Sequence, residues 1–449
     1  MSSVSITHPY IEALLKGYEA PRGGNSWLNT RRAHALERAN ALTVPTTRDE
    51  EWRFTDISPL TRVPFRLATV PAMPAMADVA CFIAPEATTR LTFVDGVFAP
   101  GLSATAGLPH GVFVSPLAAA LDTHAAVIEP HLARHAGFER EVFAALNTAH
   151  LRDGAFVWIA RDRNCPSPIQ LLYLSTQKET AAYPRCLAIV EAGAECTLVE
   201  DYASLGDGIY FNDAVTEIVA GEGARVRHVR VQREGSGAFH IGQCAIAVAK
   251  DAQYESFSVA LGARISRLDL NVLQQGEGAD VRMDGLALIS GRQLADTHSL
   301  MDHARPHGRC RQLHKCIVGG AAHAVFNGKI VVRPGSQLTD SSQQSRTLLL
   351  SDKAHVDTKP QLEIFADDVK CAHGAAVGRL DPEQLFYLRS RGLPEPQARN
   401  LLTYAFAAEV LDRIPVPSLV ENLEATVLAQ TPTLSLPLQK GEGGEGVRP

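Results

Sequence analysis

Between residues 155 and 378 the apolar positions fall in short runs, each cut off by Gly, Pro, Asp or Ser; 330–332, 348–350 and 362–365 are examples. Runs of this length, rich in β-branched residues and bounded by turn formers, predict strands. None is long enough for an ordinary helix. The strands also recur at a period. Gly193-Ala194 opens GAECTLVE, Gly223-Ala224 opens GARVRHV, Asp251-Ala252 opens DAQYESF and Gly278-Ala279 opens GADVRMDG. The four alanines are 30, 28 and 27 residues apart. Each unit is a turn with a small residue followed by an alternating strand. Units of 20–50 residues made only of strands and turns stack as a solenoid, each burying its neighbour's apolar side. A β-sandwich or barrel gives a similar texture, but the near-constant period favours a β-helix core over 155–378.

Both flanks change texture. Residues 1–154 read as mainly helical with short strands. Asn29 or Thr30 is placed to cap a helix carrying Leu36, Ala39 and Leu42, ended by Val44-Pro45. Trp52 and Phe54, set among charges, read as anchors for this arm. Proline and small residues over 69–74 suggest a linker, and 79–116 mixes strand signals with turns. Over 117–151 helix returns, with Phe138, Val142, Phe143 and Leu146 in one stripe. After 378, Asp381-Pro382 is a helix start with a side-chain cap, Leu385 and Leu388 share a face, and Gly392 is the stop. A second helix follows Pro394, with Leu402, Phe406, Val410 and Ile414 four residues apart, and a third covers 420–428. The helical C-terminal region is thus 379–430. The remaining 431–449, TPTLSLPLQKGEGGEGVRP, lacks a core-forming pattern and reads as a disordered tail.

Composition narrows the function classes. A chain of 449 residues is long enough for two or three domains. Its 45% apolar and 20% charged residues are globular in balance. A net charge of −6 argues against a nucleic-acid surface. No apolar stretch approaches the ~20 residues that span a membrane, and MSSVSITHPY does not read as a secretory leader. The expectation is a cytoplasmic protein. The eight cysteines are scattered with no CxxC pair, so most should be small buried hydrophobes. There is no GxxxxGK[ST], so no ATP site is expected, and no GxSxG or HExxH.

Two stretches carry ligand chemistry. Residues 296–316 hold His298, His303, His307, Cys310, His314 and Cys316. Their spacing matches no zinc-enzyme helix and no base glutamate lies between paired histidines, so packing within the repeat is favoured over a dedicated metal site. The pair Cys371/His373 is sharper. Residues i and i+2 of a strand face the same side, so a thiol and an imidazole are presented together beside Gly374. They suit iron or iron–sulfur ligation, or a Cys–His nucleophile.

The strings VFNGKIVV, TDSSQQSRTLLLSDKAHVDTKPQLEI, DDVKCAHGAAVG and LDPEQLFYLRSRG resemble the SufB/SufD family of iron–sulfur cluster assembly proteins, densely over 325–392. TRDEEWRFTDISPL and FAALNTAHLRDGAF extend the resemblance, the first on the SufD side of the family. The resemblance implies a right-handed parallel β-helix in a non-enzymatic scaffold subunit. It implies a heteromer with SufB, through the β-helix, and with the ABC-type ATPase SufC, through the C-terminal helices, where Leu402, Phe406 and Val410 are the candidate contact ridge. It places His373, with Cys371 as the weaker candidate, at an interface where a nascent iron–sulfur cluster is shared transiently with a SufB cysteine. The chain lacks the clustered N-terminal cysteines seen in SufB. A flavin bound to the assembled complex has no fingerprint here, and a homodimer formed without SufB is left open. The rival is a β-helix enzyme or metal-binding protein using Cys371/His373. Aromatic content of 6% gives no stacking platform for a sugar-processing version.

Overall fold

The computed structural model describes residues 9–15, 18, 25–68 and 71–430. The expected tail at 431–449 and part of the expected linker lie outside them. Among the described residues, strands form two sheets, of 11 and 10 members. Successive strands from Arg185–Val190 to Val369–Gly378 alternate between the sheets and pair in parallel with the strand two places away in sequence. The result is a parallel β-solenoid of about eight turns.

The repeat seen in the sequence has a structural cause. Glu195, Arg225, Gln253, Asp280 and Arg309 stand in one register column. The residues just before the first four are Ala194, Ala224, Ala252 and Ala279, each at most 1% exposed. Before them come Gly193, Gly223, Asp251 and Gly278, with φ of +68°, +64°, +54° and +74°. Each turn thus needs a left-handed residue and then a residue small enough to be buried at the corner. His307 and Leu338 take the left-handed place in the next two turns. Without glycine there, the sequence signal fades although the turn persists.

Inward side chains build a long apolar core, from Leu91 and Leu171 through Val226, Tyr254 and Val281 to Ile330 and Val332. The outer faces are covered unequally. The N-terminal arm packs Trp52, Phe65 and Phe143 on Phe211, Phe239 and Ile241 of the first sheet. The helices Glu395–Leu411 and Pro417–Gln430 lay Val410, Leu411, Leu419 and Leu423, with Ile414 of the turn between them, on Val229, Phe257, Leu286 and Leu313 of the second. A buried ion pair, Arg185 Nη2 to Glu217 Oε2 at 2.5 Å, joins two neighbouring strands of the first sheet. Glu217 also accepts from the backbone N–H groups of Ala133, Arg134, His135 and Ala136.

Several local expectations are corrected. The sheets begin before residue 155: Thr89–Val94 pairs with Ile169–Ser175, and Val112–Pro116 with Ala155–Ile159. Their inward residues join the solenoid core, so the short strands read within 79–116 belong to the β core, which starts before 155. The first long helix is Ser26–Ala41 with Asn25 at its N-cap position. Thr30 lies inside it and donates to the Ser26 carbonyl rather than capping. The helix expected over 117–151 is three short ones, Leu117–Thr123, Ala125–Ile128 and Val142–Ala149, broken where the 133–136 backbone turns to meet Glu217. The start at Asp381 is as read: its side chain accepts from the Glu383 N–H at 2.8 Å.

Candidate functional site at the open end

The last two strands, His355–Ile364 and Val369–Gly378, each end their sheet. Among the described residues no strand pairs with their outer edges, so two ten-residue ladders of backbone donors and acceptors stand open. Apolar groups are exposed here as well: Ile364, Phe365 and Val377 are 40%, 60% and 53% exposed. Long edges of this kind are normally blunted or paired.

Cys371 and His373 occupy the final strand in the same row. Cys371 packs against the edge of the inner core and is half-buried. His373 is exposed. Their row is the inward one: the register partners are Ser341 and Gln343, both 1% exposed. Since no further turn covers this row, inward residues become end-facing residues. Burial raises the Cys371 thiol above its ordinary value, partly offset by a hydrogen bond from the Ser341 backbone. The deeper thiols of Cys196, Cys244, Cys310 and Cys316 are pushed up to about 12 by burial and are poor ligands as they stand.

Beneath this pair the core turns polar. His303 Nδ1 meets Gln274 Oε1 at 2.7 Å and its Nε2 meets Ser341 Oγ at 3.3 Å, below Cys371. Gln343 donates to Gln312 Oε1 at 2.8 Å, and Gln312 donates to Ser299 Oγ at 2.7 Å, below His373. Gln343 Oε1 is buried without a partner. Two polar ladders therefore lead up the solenoid axis to the two candidate ligands. Sequence reasoning missed them. Gln312, Gln343 and His373 follow each other at spacings of 31 and 30 residues, the length of one turn, and that spacing was the available signal.

The 296–316 residues do not converge. His298 sits against Asp296 at 3.1 Å and Glu51 at 3.3 Å, in a cavity of about 270 Å³ under the N-terminal arm. Burial pushes the buried His303 and His314 down to about 4, and His314 stacks on Phe326 at 4.5 Å. His307 stands at a turn near Glu277.

The proposed ridge on the C-terminal helices divides. Val410 is wholly buried against the second sheet, and Leu402 and Phe406 are half-buried. Lys315 lies 4.3 Å over the Phe406 ring and donates to the Phe406 carbonyl at 2.8 Å. The exposed apolar groups are instead Phe386 at 72%, Tyr387 at 56% and Leu401 at 45%. Helix Pro382–Ser390 buries none of its side chains. The run Leu385-Phe386-Tyr387-Leu388 carried the signal, because four consecutive apolar residues cannot share one helix face.

Among the described residues, this is a parallel β-solenoid with two free edges and an imidazole–thiol pair on its last turn. Residues 173–406 match the model for the SufBD core domain of SUF-system iron–sulfur cluster assembly, and 20–171 match that for the SufBD N-terminal region. The chain is 41% identical over 437 residues to an iron–sulfur cluster assembly SufBD family protein of Synechocystis, covering 94% of each. It is 32% identical to the iron–sulfur cluster assembly protein SufD of Escherichia coli, over 87% of this chain and 90% of that one. For SufD of Bacillus subtilis the identity is 26%, over 95% and 98%. The chain belongs to the SufBD family of iron–sulfur cluster assembly proteins.

Proposed function

We propose that this chain is the SufD-type, non-enzymatic subunit of a cytoplasmic iron–sulfur scaffold, and that its open end is completed by SufB. The carrying observation is the last turn: two free ten-residue edges flank a row that holds His373 and Cys371. A second solenoid can extend both sheets by strand addition. The iron–sulfur cluster is cargo, built where the His373 imidazole meets a SufB thiolate, with Cys371 as a secondary ligand. Thiolate and imidazole are both competent ligands for iron. SufC docks on the C-terminal helices, and the uncovered Phe386 and Tyr387 support a partner contact there. Among the described residues no helix is long and apolar enough to cross a membrane.

The test is His373→Ala in the co-expressed SufB–SufC–SufD-type complex. The expected result is normal assembly and ATPase activity with a large loss of bound iron and sulfide. Wild-type cluster content in an assembled mutant complex would show that the imidazole has no part in cluster building.

A further inference from the structure

On the outer face of the first sheet, away from Cys371 and His373, three ligand groups meet. His323 and His355 are register partners on adjacent strands, so their side chains project side by side. Asp357 lies two residues beyond His355 and therefore on the same face. His323 Nε2 is 2.7 Å from Asp357 Oδ2, and His355 Nε2 is 3.2 Å from the same oxygen. The two rings are 4.9 Å apart between centroids. All three ligand atoms lie within 4.8 Å of one another.

We propose that His323, His355 and Asp357 form a binding site for one divalent first-row transition metal ion of the iron(II)/zinc(II) class. The chemistry of the set supports this. Two imidazoles and one carboxylate with open positions are a recurrent donor set for such ions. With metal–ligand bonds of about 2.0–2.2 Å, adjacent ligand atoms sit roughly 3 Å apart, and the two histidine–aspartate separations are already of that size. Only the Nε2–Nε2 separation has to adjust, and His355, whose side chain is 65% exposed, is free to turn. The backbone is already fixed by ten consecutive register pairs between the two strands. At present both Nε2 atoms face a carboxylate and must carry the proton they donate. Metal binding needs the other tautomer, with the proton on Nδ1, which exchange with water provides. The remaining coordination positions face solvent on the side of His355, whose side chain is 65% exposed, while His323 and Asp357, at 26% and 24%, hold the inner side. His355 lies on an edge strand, so the ion would stand beside the free edge rather than inside the solenoid.

The site does not depend on the scaffold reading and is tested on the full chain alone. Chelator-treated protein is titrated with Co²⁺, followed by its ligand-field absorption bands, and with Zn²⁺ by calorimetry. One equivalent of each should bind. The double variant His323→Ala/His355→Ala should lose that equivalent, and Asp357→Asn should weaken it at least tenfold. Cys371→Ala/His373→Ala should retain it. Melting in chelator should be unchanged in the histidine variant, since both rings point outward. The proposal is overturned if the wild-type chain binds neither ion, if the histidine variant binds as well as wild type, or if binding is lost only with Cys371 and His373.

Discussion

At the scale of single residues, the cavity under the N-terminal arm makes a sharp prediction. Burial by itself would lower the His298 pKa, but the Asp296 carboxylate and hydrogen bonds to Asp296 and Glu51 outweigh it and raise it to about 9. Asp296 is likewise penalised by burial, yet Arg267 and His298 hold it near 2. The His298 contribution to stability is complete below its unfolded value of about 6.5 and is lost as pH rises through about 9. Urea unfolding of the wild-type chain should therefore show stability falling between about pH 6.5 and 9 by a few kcal/mol. In His298→Ala that alkaline slope should flatten. An unchanged slope would mean that the ring is neutral in the folded chain. Arg185 gives a second case. Arg185→Ala strands the buried Glu217 carboxylate and should cost about 3–5 kcal/mol, read from the urea midpoint. The same logic applies under His373: Gln343→Leu removes the donor to Gln312 and should cost about 1–3 kcal/mol while lowering cluster content in the complex.

At the scale of elements, the C-terminal helices separate packing from docking. Val410→Asp puts a charge into a closed apolar cluster and should loosen the helices, with a cost of several kcal/mol. Phe386→Asp or Tyr387→Asp alters exposed side chains and should leave melting within about 0.5 kcal/mol of wild type, while SufC pull-down is lost. Full SufC capture by the folded Phe386→Asp chain would count against docking on this helix. The four-residue spacing of Leu402, Phe406 and Val410 revealed the helix but not which way it faced, and its continuation to Ile414 overran the helix end at Leu411. The side chosen by the second sheet depends on Val229, Phe257 and Leu313, more than a hundred, or nearly so, residues earlier in the chain. The repeat was legible for the opposite reason. Its signal, a left-handed residue followed by buried alanine, is local to each turn and was readable wherever that residue was Gly or Asp. The polar ladders were hidden because their members are one full turn apart, and a lone Gln at that distance has no local signature. Cys371 and His373 were readable as a pair because alternation along one strand is enough to place them together.

At the scale of the whole molecule, the free edges dominate. The charge substitution Val377→Asp on the final strand should leave the isolated chain folded, since this side chain is 53% exposed. It should reduce co-purification of SufB, because strand addition would bring that carboxylate into a desolvated seam. Retention of SufB at wild-type levels would point to another interface. The solenoid has one more property. Its length is counted in whole turns, and each turn advances the end by about 4.8 Å. The N-terminal arm is packed on early turns, at Phe211 and Phe239, whereas His373 rides on the last. The number of turns between them is therefore a ruler that sets how far the end carrying His373 stands from the arm. Deleting one complete turn would leave every remaining column in register and the fold intact, yet it would shorten that distance by one notch, so length itself becomes a quantity on which selection can act.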